Sequence, residues 1–271
     1  MLDFLLPWQF DPFAAVGLAL GGGLYAAGMV RGARPSPWAV LAYSLGLGAM
    51  YAVMHTRLDY YAQYLFSAHR AQHLVLHHLG PFLIALSNPL PVWRRALGGR
   101  VAMPGWLKGI YRVVQHPVVA PVLFVGLVYL WLTPDIHFDA MLSHRLYLLM
   151  NWSMAIDGLL FWWLMLVPRG PGHIVDLGYG TRVFILILVM FPQIVLGIYI
   201  ALGPGDLYDV YAVCGRAFPI SPEKDQLYGG IITWIPAAMM SVLGALIVLG
   251  RWMRSDAERA PADAGQTRQE E

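Results

Sequence analysis

The sequence predicts an all-α membrane protein, a polytopic bundle of seven transmembrane helices. Of its 271 residues, 58% are hydrophobic and only 13% are charged, and the mean hydropathy is +0.56. Soluble domains carry about 25% charged residues. The apolar residues also fall into seven stretches, each close to the roughly 20 residues that a helix needs to cross the hydrocarbon core. A soluble globular domain is therefore excluded.

The seven predicted spans are separated by segments that contain proline, glycine or charged residues. The spans cover residues 12–30, 37–55, 69–90, 112–132, 144–167, 181–202 and 227–250. The breaks between them are Arg31–Pro37, Arg57–Ser67, Pro91–Lys108, Thr133–Ser143, Pro168–Gly180 and Gly203–Gln226. We therefore expect one membrane domain over residues 1–254. Residues 255–271 are polar and poor in aromatic side chains, which predicts a disordered cytoplasmic tail.

The basic residues predict the orientation of the bundle. One side of the predicted membrane has Arg31, Arg34, Arg94, Arg95, Arg100, Lys108, Arg112, Arg169, Arg182, Arg251 and Arg254. The other side has only Arg57, Arg70, Arg145, Arg216 and Lys224, set among acidic residues. Because basic loops stay in the cytoplasm, the N-terminus is expected outside and the C-terminus inside. The N-terminal residues lack the positive region of a cleavable signal peptide.

Composition excludes several classes of function. A net charge of +2 is too small to indicate binding to nucleic acid, and the single cysteine, Cys214, allows neither an internal disulfide nor a cysteine-rich metal site within the chain. Both lysines, Lys108 and Lys224, fall in predicted loops, so a retinal-type Schiff base is not expected. A transporter is disfavoured because no inverted repeat is visible.

The most informative pattern is a ladder of histidines in the third predicted span. His69, His73 and His77 are four residues apart, so on a helix they share one face, and His78 points away from it. An imidazole in a hydrocarbon setting is costly unless it is hydrogen-bonded, ligated or facing water. The ladder therefore predicts either a metal site or hydrogen-bonded packing. Asp157 is the acid predicted deep in a span, and it could pair with His77 or His78.

Three motifs in the predicted spans resemble a known family. They are Phe66-Ser67-x-His69-x-x-Gln72-His73 followed by Pro81 and Pro89, then Gly158-Leu159-Leu160-Phe161-Trp162-Trp163, then Asp225-Gln226-x-x-Gly229-Gly230-x-x-x-Trp234-x-Pro236. The family is that of the CtaG-type cytochrome c oxidase assembly proteins of bacteria. The resemblance implies a protein of the bacterial cell membrane that matures a haem-copper oxidase. It also implies that copper is supplied from the extracytoplasmic side, with oxidase subunits as partners.

The chain departs from the family pattern at three positions. Arg70 stands where the family commonly has methionine after the first histidine. Leu132 replaces a histidine in the stretch that ends at Pro134, although His137 lies nearby, and Asn151 stands where a histidine is often found.

We therefore expect an assembly factor, rather than an enzyme, that holds copper at the outer face. Imidazole is a good copper ligand, and an i, i+4 pair can converge on one ion. The expected ligands are His69 and His73, with a third from His55, His144 or His137 and with His77 as an extension of the ladder. A haem-binding electron-transfer protein using His55, His69 and His144, and a metal-free scaffold, are the alternatives.

Four polar residues are expected to support such a site or the helices around it. Asp225 begins the seventh span, where it could act as an N-terminal acid of its own helix or orient a ligating histidine. Gln72, Asn151 and Asp157 lie in the spans beside the histidines. The sequence leaves the oligomeric state and the number of metal ions open.

Overall fold

A computed structural model describes residues 10–99, 104–168 and 174–266, with side chains described as far as Glu258. The described residues are all-helical and contain no β-strand. The helices are α1 Pro12–Val30, α2 Pro37–His55, α3 Arg57–Tyr64, α4 Phe66–His73, a π-helix Leu74–Leu79, α5 Gly80–Leu86, α6 Leu90–Ala96, α7 Gly105–Val114, α8 Val119–Leu132, α9 Pro134–Leu142, α10 His144–Leu166, α11 Tyr179–Leu188, α12 Met190–Leu202, α13 Val210–Cys214 and α14 Pro222–Gln266.

The predicted all-helical membrane protein is confirmed, but the structure supports fewer spans than the sequence predicts. Five helical segments of the described chain are long and apolar enough to cross a bilayer: Pro12–Val30, Pro37–His55, His144–Leu166, Tyr179–Leu202 and Pro222–Glu258. A sixth is present if α7 and α8 count as one span, although they bend by 71°. The bend falls inside predicted span 112–132. Predicted span 69–90 is divided among α4, the π-helix and α5.

Capping residues account for the first helix boundaries. The Asp11 carboxylate accepts a hydrogen bond from the Phe13 backbone N–H, and the Ser36 hydroxyl accepts one from Ala39. Pro12 and Pro37 follow these caps, in the first turn, where proline removes no helical hydrogen bond. The spans α1 and α2 therefore begin at the residues that the sequence predicts.

Helix α4, the π-helix and α5 follow one another without a break over residues 66–86, and we call them the third helical run. Pro81 explains part of the π-helical geometry in the middle of this run. Proline has no N–H, so the main-chain oxygen of His77, four residues earlier, loses its α-helical donor. The indole nitrogen of Trp162 on α10 donates to that oxygen at 3.2 Å. Gly158 allows the approach, because a Cβ there would lie only 2.5 Å from the same oxygen. The π-helix is thus held by a partner from outside the helix.

Close contacts between helices are made where glycine faces a bulky neighbour. A Cβ on Gly229 would lie 2.2 Å from the Phe66 ring, and one on Gly197 would lie 2.4 Å from Trp234. Hydrocarbon gives helices no hydrophobic drive to associate, so small residues that permit tight packing are favoured at their contacts. These glycines bring α14 against α4 and α12.

Helix α14 is longer than the span that the sequence predicts. It continues past residue 250 to Gln266, so the described part of the predicted disordered tail is helical. Residues 267–271 lie outside the described residues.

Candidate metal site

Three buried histidines meet near the N-terminal end of the third helical run, which the sequence predicts to be its outer end, and we call them the outer histidine cluster: His69, His73 and His137. The His69 and His73 rings, on α4, have centroids 4.4 Å apart. The His137 ring, on α9, is 5.0 Å from His69 and nearly perpendicular to it. All three are at most 1% exposed. The four-residue spacing on α4 places the first two rings together, and the short helix α9 brings the third.

His69 and His73 have ring nitrogens without hydrogen-bond partners. Both ring nitrogens of His69 are buried, and although the Ala62 backbone lies close to the ring, no contact has hydrogen-bond geometry. His73 uses Nε2, which lies 3.1 Å from the Asn151 side-chain oxygen, whereas its Nδ1 is buried and unpartnered. Since an amide oxygen only accepts, Nε2 carries the proton in this arrangement, and Nδ1 presents a lone pair.

His137 is held differently, because both of its ring nitrogens have partners. Nδ1 donates to the Trp131 main-chain oxygen at 3.0 Å, so Nε2 carries the lone pair and accepts from the Tyr211 hydroxyl, also at 3.0 Å. Burial lowers the pKa of this ring to about 4; the Trp131 hydrogen bond opposes the shift and the Arg70 charge adds to it. These two hydrogen bonds fix the orientation of the His137 ring, and the second one occupies the lone pair that a metal ion would need.

The histidine ladder is interrupted at the π-helix. His77 does not join the outer cluster; its Nε2 lies 3.0 Å from the Asp157 carboxylate on α10. His78, which the sequence places on a different face, has its ring centroid 5.0 Å from that of His77. A π-helix turns more widely than an α-helix, which shifts the two residues relative to His73.

The structure does not bring His55 or His144 to the outer cluster. His55 is 2% exposed and packs against the rings of Phe10 and Tyr51. His144 is exposed and lines a cleft of about 210 Å³. Of the three candidates for a third ligand, only His137 contacts the His69 ring among the described residues.

Gln72 belongs to a polar network beside the cluster rather than to the histidines themselves. Its amide nitrogen donates to the Val53 main-chain oxygen and to Asp59 Oδ1, and the Tyr147 hydroxyl donates to that same carboxylate oxygen at 2.6 Å. Burial raises the pKa of the Asp59 carboxyl above 3.8, although the hydrogen bonds from Tyr147, Gln72 and Gln63 oppose the shift. The network ties α2, α3, α4 and α10 together beside His73.

Asp225 caps a different helix from its own. Its two carboxylate oxygens accept from the backbone N–H groups of Phe66 and Ser67, each at 2.9 Å, and from the Ser67 hydroxyl at 2.6 Å. It thereby satisfies the free donors at the start of α4, and it also lies in the first turn of its own helix α14, which is one of the two positions that the sequence indicates. The carboxylate fixes the turn that precedes His69.

Several residues around the site carry no signal in the sequence. Three of them lie in segments that the sequence predicts as loops or as ordinary helix: Tyr211, Tyr147 and Asp59. Nothing in their spacing indicates that they face the histidines. Arg70 is buried, and its Nε donates to the Thr233 hydroxyl on α14 at 2.9 Å. Trp162 could be anticipated, because it lies in one of the three motifs.

The nitrogen donors of the cluster are of a kind that copper prefers, but their present arrangement does not form a complete copper site. Neutral imidazole nitrogens suit copper, and three of the cluster's nitrogens are unpartnered. In the described part of the chain, however, no three His, Cys, Asp or Glu side chains are already placed to hold one ion. A copper ion would therefore use His69 and His73 and would recruit His137 only if the Tyr211 hydroxyl released it.

The curated proteins that match this chain are much longer than it is. It is 28% identical over 275 residues to an uncharacterized protein of Mycobacterium leprae, covering 94% of this chain and 41% of that protein. It is also 28% identical over 273 residues to uncharacterized proteins of Mycobacterium bovis and Mycobacterium tuberculosis, covering 93% of this chain and 40% of each. The chain thus spans about two fifths of the relatives' length.

No solved structure matches the chain. The model of one protein family, described as the cytochrome c oxidase caa3 assembly factor (Caa3_CtaG), matches residues 23–255, which include every helix that contributes to the outer histidine cluster. On this match the chain belongs to the family of cytochrome c oxidase caa3 assembly factors.

Proposed function

We propose that this chain helps to assemble a haem-copper cytochrome c oxidase in the bacterial cell membrane by carrying copper to it. The outer histidine cluster would receive the ion as cargo and pass it to an oxidase subunit. The observation that carries this proposal is the buried pair His69 and His73, which share three unpartnered nitrogens. Uncompensated polar atoms in a membrane interior mark functional positions more often than packing positions.

The proposal includes the seven-span topology with the N-terminus outside. Residues 66–86 form one continuous helical run, about 31 Å long at 1.5 Å per residue, which matches a hydrocarbon core of about 30 Å. Counting this run and the bent pair α7 and α8 gives seven crossings. With this count, the distribution of basic residues supports an extracytoplasmic position for the cluster.

A cleft supports access to the cluster from that side. It has a volume of about 210 Å³ and is lined by Asp11, Asp59, His144, Tyr147 and Asn151, among others. Asn151 is also the hydrogen-bond partner of His73. The cleft therefore reaches a residue in contact with the cluster, and its two carboxylates favour an approaching cation.

The transfer needs no bond-making on a substrate, so we propose no enzymatic reaction. Copper exchanges ligands readily between sites of similar donor type, and a two-histidine site with a third ring held nearby is suited to temporary binding. Tyr211 would set the strength of that binding, since its hydroxyl competes for His137 Nε2. A carrier must release its cargo, and an engaged third ligand keeps the affinity moderate.

The test is the copper content of detergent-purified protein after loading with copper(I) and removal of unbound metal. We expect about one copper ion per chain, and little in the His69→Ala/His73→Ala variant. His116→Ala is the matched control, because this histidine is exposed and distant in sequence from the cluster. Equal copper in the wild type and the double variant would refute the histidine site.

A metal-free scaffold is the second candidate, favoured by the lack of a preformed three-ligand site in the described residues. The double alanine variant decides between the two in cells that lack the native protein. Oxidase activity that is fully restored by this variant supports the scaffold, whereas activity that returns only with the wild type supports copper transfer. A Soret band in purified protein would instead support a haem-binding role.

A further inference from the structure

A second group of polar side chains shares His73 with the outer histidine cluster. It surrounds a small cavity of about 10 Å³. We call it the inner polar chamber, and its polar lining is Arg70, His73, His77, His78, Gln193 and Thr233. Each of these residues is at most 5% exposed.

Four atoms of this lining have no hydrogen-bond partner in the protein. They are the Nδ1 atoms of His73, His77 and His78 and the Oε1 atom of Gln193. The Gln193 amide nitrogen already donates to the Val189 main-chain oxygen at 3.1 Å, so the free atom of this side chain is an acceptor. Buried polar atoms in folded proteins almost always have a hydrogen-bond partner, so four without one around the same cavity indicate a ligand.

The charges and acceptors of the chamber select the kind of ligand. The buried Arg70 guanidinium repels a cation. The lone pair of His73 Nδ1 and the oxygen of Gln193 repel an anion. A neutral molecule that can accept from Arg70 and donate to two acceptors satisfies both requirements, and a cavity of about one probe sphere, roughly 10–15 Å³, holds one water.

We propose that the inner polar chamber binds one ordered water molecule that bridges Arg70, Gln193 and the histidine rings. Because His73 belongs to the outer cluster and His77 contacts Asp157, this water completes a polar chain from the outer cluster to Asp157 in the bundle interior. The proposal concerns the copper-free protein, because a copper ion bound at the outer histidine cluster would compete with this water for His73 Nδ1.

Met154 provides a direct test, because it lines the chamber and is only 1% exposed. A short X-ray pulse converts bound water into hydroxyl radicals, which oxidise neighbouring thioethers, and mass spectrometry measures the product. We expect Met154 to be oxidised several times faster than Met165, which is fully buried but does not line the chamber. Equal, slow oxidation of the two methionines would overturn the proposal.

A pair of matched variants tests whether the water lies beside Gln193. Gln193→Leu removes the free acceptor and should reduce Met154 oxidation towards the Met165 rate. Gln115→Leu is the control, because Gln115 is also 1% exposed, donates to a main-chain oxygen and has an unpartnered Oε1, but lies outside the chamber. If Gln193→Leu does not fold, the wild-type comparison still decides. Oxidation of Met154 that occurs only in chloride-free buffer would mean that an anion fills the chamber, and would refute the water.

Discussion

The Trp162 indole donates a hydrogen bond to the main-chain oxygen of His77, the oxygen whose helical donor is removed by Pro81. One side chain on α10 thus supplies a hydrogen-bond donor in place of the backbone N–H that proline lacks in the neighbouring helix. The contact is made to His77 itself, four residues after His73, so it helps to fix the direction in which His77 projects.

Replacing Trp162 with phenylalanine should therefore destabilise the bundle. The change removes the side-chain donor to the His77 oxygen in a dry interior and removes volume from a fully buried position, which together cost about 2 to 4 kcal/mol. Thermal unfolding in detergent measures the loss. Trp163→Phe is the control, because Trp163 stacks on Trp93 instead, and it should cost less. Equal losses would show that the hydrogen bond contributes little.

The Asp225 cap should be required to order the start of α4. Asp225→Ala leaves the Phe66 and Ser67 backbone donors unpaired and is expected to cost about 3 kcal/mol. Amide hydrogen exchange over residues 66–73 should accelerate more than exchange elsewhere. Glu223→Ala serves as the control, because Glu223 is an exposed acid two residues before Asp225. Unchanged exchange at α4 would contradict the capping role.

Tyr211→Phe should strengthen copper binding. Without the hydroxyl, His137 Nε2 is free to ligate, and the ion need not displace a hydrogen bond of about 1 kcal/mol, which corresponds to about fivefold in affinity. Competition with a copper(I) chelator measures the change. Tyr208→Phe is a matched control, because that hydroxyl donates to the Leu132 main-chain oxygen rather than to the histidine. A weaker affinity in Tyr211→Phe would exclude His137 as a ligand.

Asp59 should make the stability of the protein depend on pH in a defined direction. Its pKa is raised in the folded protein, chiefly by burial, so the folded state keeps a proton that the unfolded state has released. The free energy of unfolding should therefore fall as pH rises from the ordinary Asp value towards the raised one. The stabilisation is complete only below the unfolded pKa.

Asp59→Asn removes this dependence, because an amide cannot titrate. The unfolding temperature of the wild type should fall relative to that of the variant as pH rises from acid to neutral. Curves that remain parallel over this range would show that Asp59 does not titrate differently on folding.

The sequence predicted the fold class and part of the site, for reasons that the structure makes clear. His69 and His73 are one helical turn apart, so local periodicity is enough to pair their rings. His77 breaks the pattern because Pro81, Gly158 and Trp162 together stabilise a π-helix, and the last two come from another helix. Periodicity within one segment cannot show such a partner.

The sequence leaves the choice of the third histidine open among His55, His144 and His137 for a similar reason. Choosing His137 requires knowing that α9 folds back over α4 and that Tyr211 meets it, 74 residues further along the chain. Asp225 reaches Ser67 across 158 residues. Contacts of this range depend on how helices pack, and a single sequence does not encode them in any visible spacing.

The π-helix gives the run of residues 66–86 a wider turn, which uses one residue more than an α-helix needs for the same rotation. Deleting one residue between Leu74 and Leu79 would therefore allow an ordinary α-helix in which His69 and His73 keep nearly the same direction relative to the residues after the deletion. A deletion between His69 and His73, in α4, removes no wide turn, so it would turn His69 by about 100° relative to His73 and to the residues that follow. An alignment with relatives that places a one-residue gap in residues 74–79 therefore still compares the same faces of the helix, whereas a gap between His69 and His73 does not.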